Sequence, residues 1–216
     1  MDVRSELIVL NTTKVGEKSL VIHALTPLWG RRSFMTSVPK GGSMALFMPM
    51  NIIEAVVSEN PKTDLWRIRS LGTDYPLNGI RTDIMKNSIT MFMSEVLYRA
   101  IRDGANEDGL FEWCKKSIIT LDALESDFSN YHLRFLFELA AALGFSPSSR
   151  DMQPFAGTYA ARIDELMTIS MSEFLIYPLN GDTRNEIAEV LLRYIAYHTE
   201  CQLNVRSLRV LHELFR

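Results

Sequence analysis

Leu10-Asn11-Thr12-Thr13, Gly16-Glu17-Lys18-Ser19-Leu20, Thr26-Pro27-Leu28-Trp29-Gly30-Arg31, Lys40-Gly41 and Pro49 follow one another within the first fifty residues, and their short spacing decides the fold. Between these breaks lie runs rich in Val, Ile, Leu, Thr and aromatics: Glu6 to Thr12, Ser19 to Thr26, Arg31 to Val38, Leu46 to Ser58 and Leu65 to Leu71. Each reads as a strand. Val15-Gly16-Glu17, Pro27-Leu28-Trp29-Gly30, Pro39-Lys40-Gly41-Gly42-Ser43 and Asn60-Pro61-Lys62 supply the glycine or proline that a reversal needs. Five strands in fewer than eighty residues suit a small closed barrel, and the oligonucleotide-binding (OB) barrel is the five-stranded form.

From Asp83 the period lengthens. Met85, Ile89, Phe92, Val96 and Ala100 recur at helical spacing, and Met93, Leu97 and Ile101 widen the stripe, which predicts a mostly buried helix. Further helices are expected from Asp108 to Leu124, with Phe111, Cys114, Ile118 and Leu121 inward, and from Ser129 to Leu143, with Leu133, Leu136, Phe137 and Ala140 inward. The latter stops where Gly144 can adopt a left-handed cap. Thr183-Arg184-Asn185-Glu186 has the form of a capping box ahead of Ile187, Val190, Leu191 and Tyr194, and a short helix runs from Ser207 to Phe215. Between Ser146 and Gly181, Pro147, Pro154, Gly157 and Pro178 break the pattern, so an irregular connection with one short helix over Ile163 to Met167 is expected. The class is α+β: an N-terminal five-stranded OB-fold barrel (residues 1–79), then an α-helical domain (80–216), with the boundary near Tyr75-Pro76-Leu77-Asn78-Gly79.

The ordered N-terminal series resembles the start of the RecO family of bacterial recombination mediators. The resemblance continues in Phe137-Glu138-Leu139 and Leu143-Gly144-Phe145-Ser146-Pro147. It implies a non-catalytic protein of recombinational DNA repair and the DNA damage response. Such a protein binds single- and double-stranded DNA, anneals complementary strands, contacts the C-terminal tail of single-stranded DNA-binding protein, and works with RecR to help load RecA. Many relatives carry a four-cysteine zinc element after the leucine-glycine motif. This chain has only Cys114 and Cys201 and resembles a divergent member without it.

Composition narrows the chemistry. A chain of 216 residues with 47% hydrophobic content can bury a core. The charged opening, Met1-Asp2-Val3-Arg4-Ser5-Glu6, and the lack of a long apolar run lead us to expect a cytoplasmic protein with reduced thiols and no membrane association. Net charge is −3, which argues against a surface that is basic throughout. Residues 1–79 carry nine Lys or Arg against seven Asp or Glu, whereas residues 80–216 carry fourteen against nineteen, so a polyanion should prefer the N-terminal part. Gly41-Gly42 lacks the Gly-Lys-Ser/Thr ending of a phosphate loop, and no nucleophile elbow is present. His198 and Cys201 offer two metal ligands where zinc needs four, or three and water, so no cofactor or metal is expected. A noncontiguous carboxylate pair such as Asp151 and Asp164 is what remains of an enzymatic reading. Met44, Met48, Met50, Met91 and Met93 read as core filling.

The candidate DNA-binding residues are Arg31 and Arg32 beside Trp29, Lys40 in the next turn, Lys14 and Lys18 at the first turn, and Arg67 and Arg69 alternating on the fifth strand. A guanidinium neutralises phosphate and an indole stacks on a base at about 1 to 3 kcal/mol. Against this, Trp29 can plug the barrel end and the cations can simply be solvated. The turn around Lys40 is poorer in basic residues than in relatives, which suggests weaker DNA binding or, alternatively, a protein-protein adaptor of the same fold. In the helical part, the resemblance assigns Arg134, with Phe137, to capture of the acidic and aromatic tail of single-stranded DNA-binding protein. The competing role for Arg134 is an ion pair with Glu138 one turn on.

Overall fold

The computed structural model describes residues 2–37, 44–60 and 62–216. Its N-terminal part is a closed barrel of five strands, β1 (Asp2–Val15), β2 (Ser19–Thr26), β3 (Gly30–Ser37), β4 (Ile52–Ser58) and β5 (Leu65–Gly72), in the order β1-β2-β3-β5-β4. Every pairing is antiparallel except β3 with β5, where Ser33, Phe34 and Met35 face Leu65, Trp66 and Arg67 in parallel. The expected OB-type barrel is therefore present. β1 serves two neighbours: residues 2–8 pair with β4 and residues 8–15 with β2, and a bulge between Val9 and Asn11 turns the strand between them. The fourth strand is shorter than its sequence suggested. Met44–Phe47 form a 3-10 turn, Met50 has a positive φ, and the ladder begins only at Ile52.

Leu7, Ile8, Val9 and Leu10 are all buried, which an amphipathic strand with one wet face cannot achieve. Leu7 and Val9 point into the barrel with Leu20, Ile22, Phe34, Phe47, Ile53, Val57 and Trp66. Ile8 and Leu10 point outward and join Leu25, Met50 and Ile52 in the helical core. The barrel wall is thus shared with the helices.

These are α1 (Asn78–Thr82), α2 (Ile84–Ala100), α3 (Leu110–Ala123), α4 (Tyr131–Ala142), α5 (Ser149–Ala156), α6 (Ala160–Thr168), α7 (Met171–Ile176), α8 (Gly181–Thr199) and α9 (Ser207–Leu214). α2 begins at Asp83, whose carboxylate accepts from the Met85 and Lys86 amides at 2.8 and 3.1 Å. α4 ends as expected: Gly144 takes φ 90°, its amide reaches Ala141 O and the Phe145 amide reaches Ala140 O, each at 3.0 Å. None of the described helices is long and apolar enough to cross a membrane.

Three expectations need correction. The segment from Ser146 to Gly181 is helical rather than irregular, because short helices of six to nine residues can be held by a few buried side chains, Met152, Ala156, Ile163, Leu166 and Phe174, despite Pro154 and Gly157. The capping box belongs to α7, where Ser170 and Glu173 exchange bonds, whereas α8 is capped by Asn180, whose side chain accepts from the Thr183 amide at 2.8 Å. Of the methionines read as core, Met50 and Met93 are buried, but Met44, Met48 and Met91 are exposed.

A polar knot fastens the helices. Arg184 is buried and has no ion pair among the described residues, and it donates to Asn130 Oδ1 (2.9 Å), Phe215 O (2.9 Å) and Leu179 O (2.8 Å). Asn130 in turn donates to the carbonyls of Phe174, Leu175 and Tyr177. Next to it His132 is enclosed between Phe92 and Phe215, and its Nδ1 has no hydrogen-bond partner among the described residues. Burial, and secondarily the Arg184 charge, push the His132 imidazole down to about 3. The folded state therefore binds fewer protons than the unfolded chain between pH 6.5 and 3, and stability falls as pH drops through that window by at most about 1.4 kcal/mol per unit. Urea denaturation at pH 7 and pH 4.5 should show a steeper acid loss for the unaltered protein than for His132→Phe. Parallel losses would show that this imidazole does not set the acid sensitivity.

Candidate nucleic-acid interface

The two arginines after the β2–β3 turn have opposite surroundings. Arg31 shares its face with Ser33 and Met35, outside the barrel, and is taken up by the joint with the helices. Its Nη1 donates to Ile101 O at 2.5 Å and its guanidinium lies 4.3 Å from the centre of the Tyr98 ring. Its backbone is tied as well: the Arg31 amide donates to Ala105 O (3.1 Å) and the Gly104 amide to Arg31 O (2.8 Å). His23 completes the joint, with Nδ1 2.9 Å from Ser33 Oγ and its ring 5.2 Å from Tyr98. Burial and then the Arg31 charge hold this imidazole below its ordinary value. Gly30 is required here, since it has φ 60° and a Cβ would fall 1.9 Å from Ala105 O.

Arg32 follows the interior parity of Phe34 and Thr36 and leaves the barrel at its mouth. Its guanidinium covers the Trp66 ring at 4.8 Å and reaches exposed Asp64 at 3.6 Å. Trp29 stands edge-on to Trp66 at 5.4 Å, partly buried against the barrel core. Arg32, Trp29 and Trp66 thus form one aromatic and cationic end cap, with Arg32 the member able to turn toward a ligand.

Lys14 and Lys18 flank the exposed β1–β2 turn, and neither has an ion pair among the described residues. Arg67 is also exposed and without an ion pair among them, whereas Arg69 bonds Asp2 and Ser58. Register places Thr13, Val21, Met35 and Arg67 side by side on four neighbouring strands, each at least partly exposed. A stripe of hydroxyl, aliphatic and thioether groups therefore ends on the Arg67 guanidinium, while Lys14, paired with Leu20, follows Thr13 on the opposite face of β1 at the hairpin end. Lys40 lies outside the described residues.

Arg134, on α4, donates Nε to Glu138 Oε1 at 2.6 Å while the other Glu138 oxygen accepts from Trp113 Nε1 at 3.2 Å. The guanidinium sits 5.6 Å from the centre of the Phe174 ring. Phe137 is buried and edge-on to Phe174. Beside this pair, between α3 and α4, opens a cavity of about 630 Å³ lined by Trp113, Lys116, Tyr131, Glu138 and Met171 among others. Lys115, two residues after Trp113, bonds Glu6 on β1 at 2.7 and 2.8 Å, a link across 109 positions that no sequence pattern signals. His198 is stacked on Phe145 and Cys201 Sγ lies near the carbonyls of Thr199 and Ala100, so these two residues have local packing roles.

Gly30→Ala should destabilise the protein by roughly 2 to 4 kcal/mol in urea denaturation, combining strain at positive φ with a clash against backbone. Arg67→Ala should stay within about 0.5 kcal/mol of the unaltered protein. Equal stability of Gly30→Ala and the unaltered protein would mean the joint yields freely.

Comparison with known proteins supplies the remaining finding. The family described as "Recombination protein O C terminal" matches residues 81–152. A DNA repair protein RecO from Phocaeicola vulgatus is 31% identical, over 96% of this chain and 97% of the relative. One from Bacteroides fragilis is 30% identical over the same shares, and one from Flavobacterium psychrophilum is 25% identical over the full length of both.

Proposed function

We propose, from the premise that this chain belongs to the RecO family of DNA repair proteins, that it is a non-catalytic, cytoplasmic mediator of recombinational repair that binds single- and double-stranded DNA and anneals complementary strands. In this reading residues 1–79 hold DNA. Residues 80–216 hold partners: RecR and the acidic tail of single-stranded DNA-binding protein, through which the protein helps load RecA.

The observation that carries the DNA reading is the set of cations with no structural task. Lys14, Lys18 and Arg67 are exposed and lack ion pairs among the described residues; Arg67 ends a stripe across β1, β2, β3 and β5, and Lys14 and Lys18 stand at the hairpin that adjoins its other end. A strand following that stripe would neutralise phosphates at both ends and lay its bases against Val21 and Met35, with Arg32 and Trp29 at the mouth of the barrel. Arg31 and Arg69 contribute indirectly, Arg31 by fixing the barrel on the helices. For the partner tail, the cavity beside Trp113 gives an apolar seat and Arg134 a guanidinium that could exchange Glu138 for a ligand carboxylate.

The adaptor reading draws on a specific fact: Arg31, Arg69 and Arg134 are already engaged by the protein itself, which leaves few cations for DNA. Salt dependence separates the two. Anisotropy titration of a labelled oligothymidylate at two salt concentrations should show Lys14→Ala/Lys18→Ala/Arg67→Ala binding more weakly, with a log-log salt slope shallower by up to about 2. Identical affinity and slope in the triple variant would remove the stripe from the DNA path, and no binding by the unaltered protein would leave the adaptor.

A further inference from the structure

Tyr197 and His198 occupy the last turn of α8, and both are exposed, Tyr197 to 69%. A lone exposed ring is ordinary on a protein surface, and a cluster of rings is the informative case. Here the exposed rings are backed by others. His198 lies flat on Phe145 (4.8 Å between centres, 11° between planes), contacts Tyr194 at 4.4 Å, and stands perpendicular to Tyr197 at 5.2 Å. Phe155 from α5 meets both Tyr194 (5.5 Å) and Tyr197 (5.6 Å) edge-on. Tyr194 hydroxyl closes the group by donating to Phe145 O at 3.2 Å. Tyr197 is thereby held in place from behind, so stacking a ligand ring on it costs little further ordering.

Two arginines lie on or beside the same helix, each loosely paired with a glutamate. Arg193, one turn earlier on α8, is half exposed and reaches Glu189 only at 4.0 Å. Arg102 lies 3.4 Å from both Thr199 O and Glu200 Oε2 at the end of the same helix. Exposed pairs of this kind are worth little, so both guanidinium groups can turn to a stronger anion. Rings with arginines on or beside the same helix, and no array of groups to read base edges, suit sequence-tolerant single strands. The position is also continuous with the barrel: residues 101–105, which carry Arg102, accept from and donate to Arg31 directly after the β2–β3 turn.

We infer that Tyr197, braced by His198 and Phe155, with Arg193 one turn earlier and Arg102 at the C-terminal end of the same helix, is a second stacking site for single-stranded DNA, met by a strand that leaves the barrel at the β2–β3 turn. This rests on the DNA-binding reading above. A short strand fills the barrel stripe alone, and a longer one reaches α8.

Anisotropy titrations with labelled oligothymidylates of about 8 and about 30 nucleotides, bracketing the reach of one OB barrel, test it on the full chain. The unaltered protein should bind the long strand more tightly, and Tyr197→Ala should weaken that binding by about fivefold to a hundredfold while leaving the short strand unchanged. Tyr197→Phe should keep the long-strand affinity, and unchanged thermal melting of both variants confirms that they fold. Unaltered long-strand affinity in Tyr197→Ala overturns the inference, including the case where that variant instead loses a protein partner. If Lys14→Ala/Lys18→Ala/Arg67→Ala still weakens both lengths, only the α8 site falls. No binding of either length by the unaltered protein overturns both the site and the DNA reading.

Discussion

β1 is buried on both faces from Leu7 to Leu10, and the two halves of the protein are organised around that fact. One face completes a barrel interior built on Phe34 and Trp66, and the other is a wall of the helical core. Removing either half would expose one row of apolar side chains, so each half contributes to the stability of the other at roughly 25 cal/mol per Å² of covered apolar surface. The polar ties between them, Arg31 to Ile101 and Lys115 to Glu6, add direction more than energy.

The same constraint sorts the basic residues. Those near the joint or near a carboxylate are engaged by the protein: Arg31 by a carbonyl and a ring, Arg69 by Asp2, Arg134 by Glu138 and Arg184 by three neighbouring residues. Lys14 and Lys18 at the far hairpin and Arg67 on β5 have no ion pair among the described residues. A net-acidic protein can therefore still present a local field of the opposite sign, because what an approaching phosphate meets first is the exposed cations that carry no ion pair.

Much of this was legible in the sequence. Glycine and proline at the breaks, β-branched and aromatic runs between them, and the change to helical period after Asp83 specify the barrel and the main helices, because turn chemistry and hydrophobic period are local properties. Illegible were the features set by distant contacts. The helices between Ser149 and Ile176 are too short to show a period and are held by a few buried side chains, Met152, Ala156, Ile163, Leu166 and Phe174, with Asn130 fixing the end of the last. Arg31 and Arg32 look equivalent in sequence, yet strand parity sends one to Tyr98 and the other over Trp66. The cap of α8 was misplaced by three residues because Thr183 and Asn180 are both good capping residues, and only the path of the incoming chain selects between them.

The pair of bonds between Arg31 and residues 104 and 105 amounts to one rung of ladder supplied by a loop. It falls where the barrel is least complete. β3 and β5 are parallel partners over only Ser33 to Met35, so at its first residues β3 would otherwise present an open edge. A barrel avoids edge-to-edge aggregation by having no edge, and here a length of edge at the start of β3 is covered from outside by the helical half. Severed from that half, the barrel would carry an unpaired stretch of backbone that a neighbouring chain could extend. The helices thus act as an intramolecular guard against β-sheet assembly, a role separate from any partner they bind.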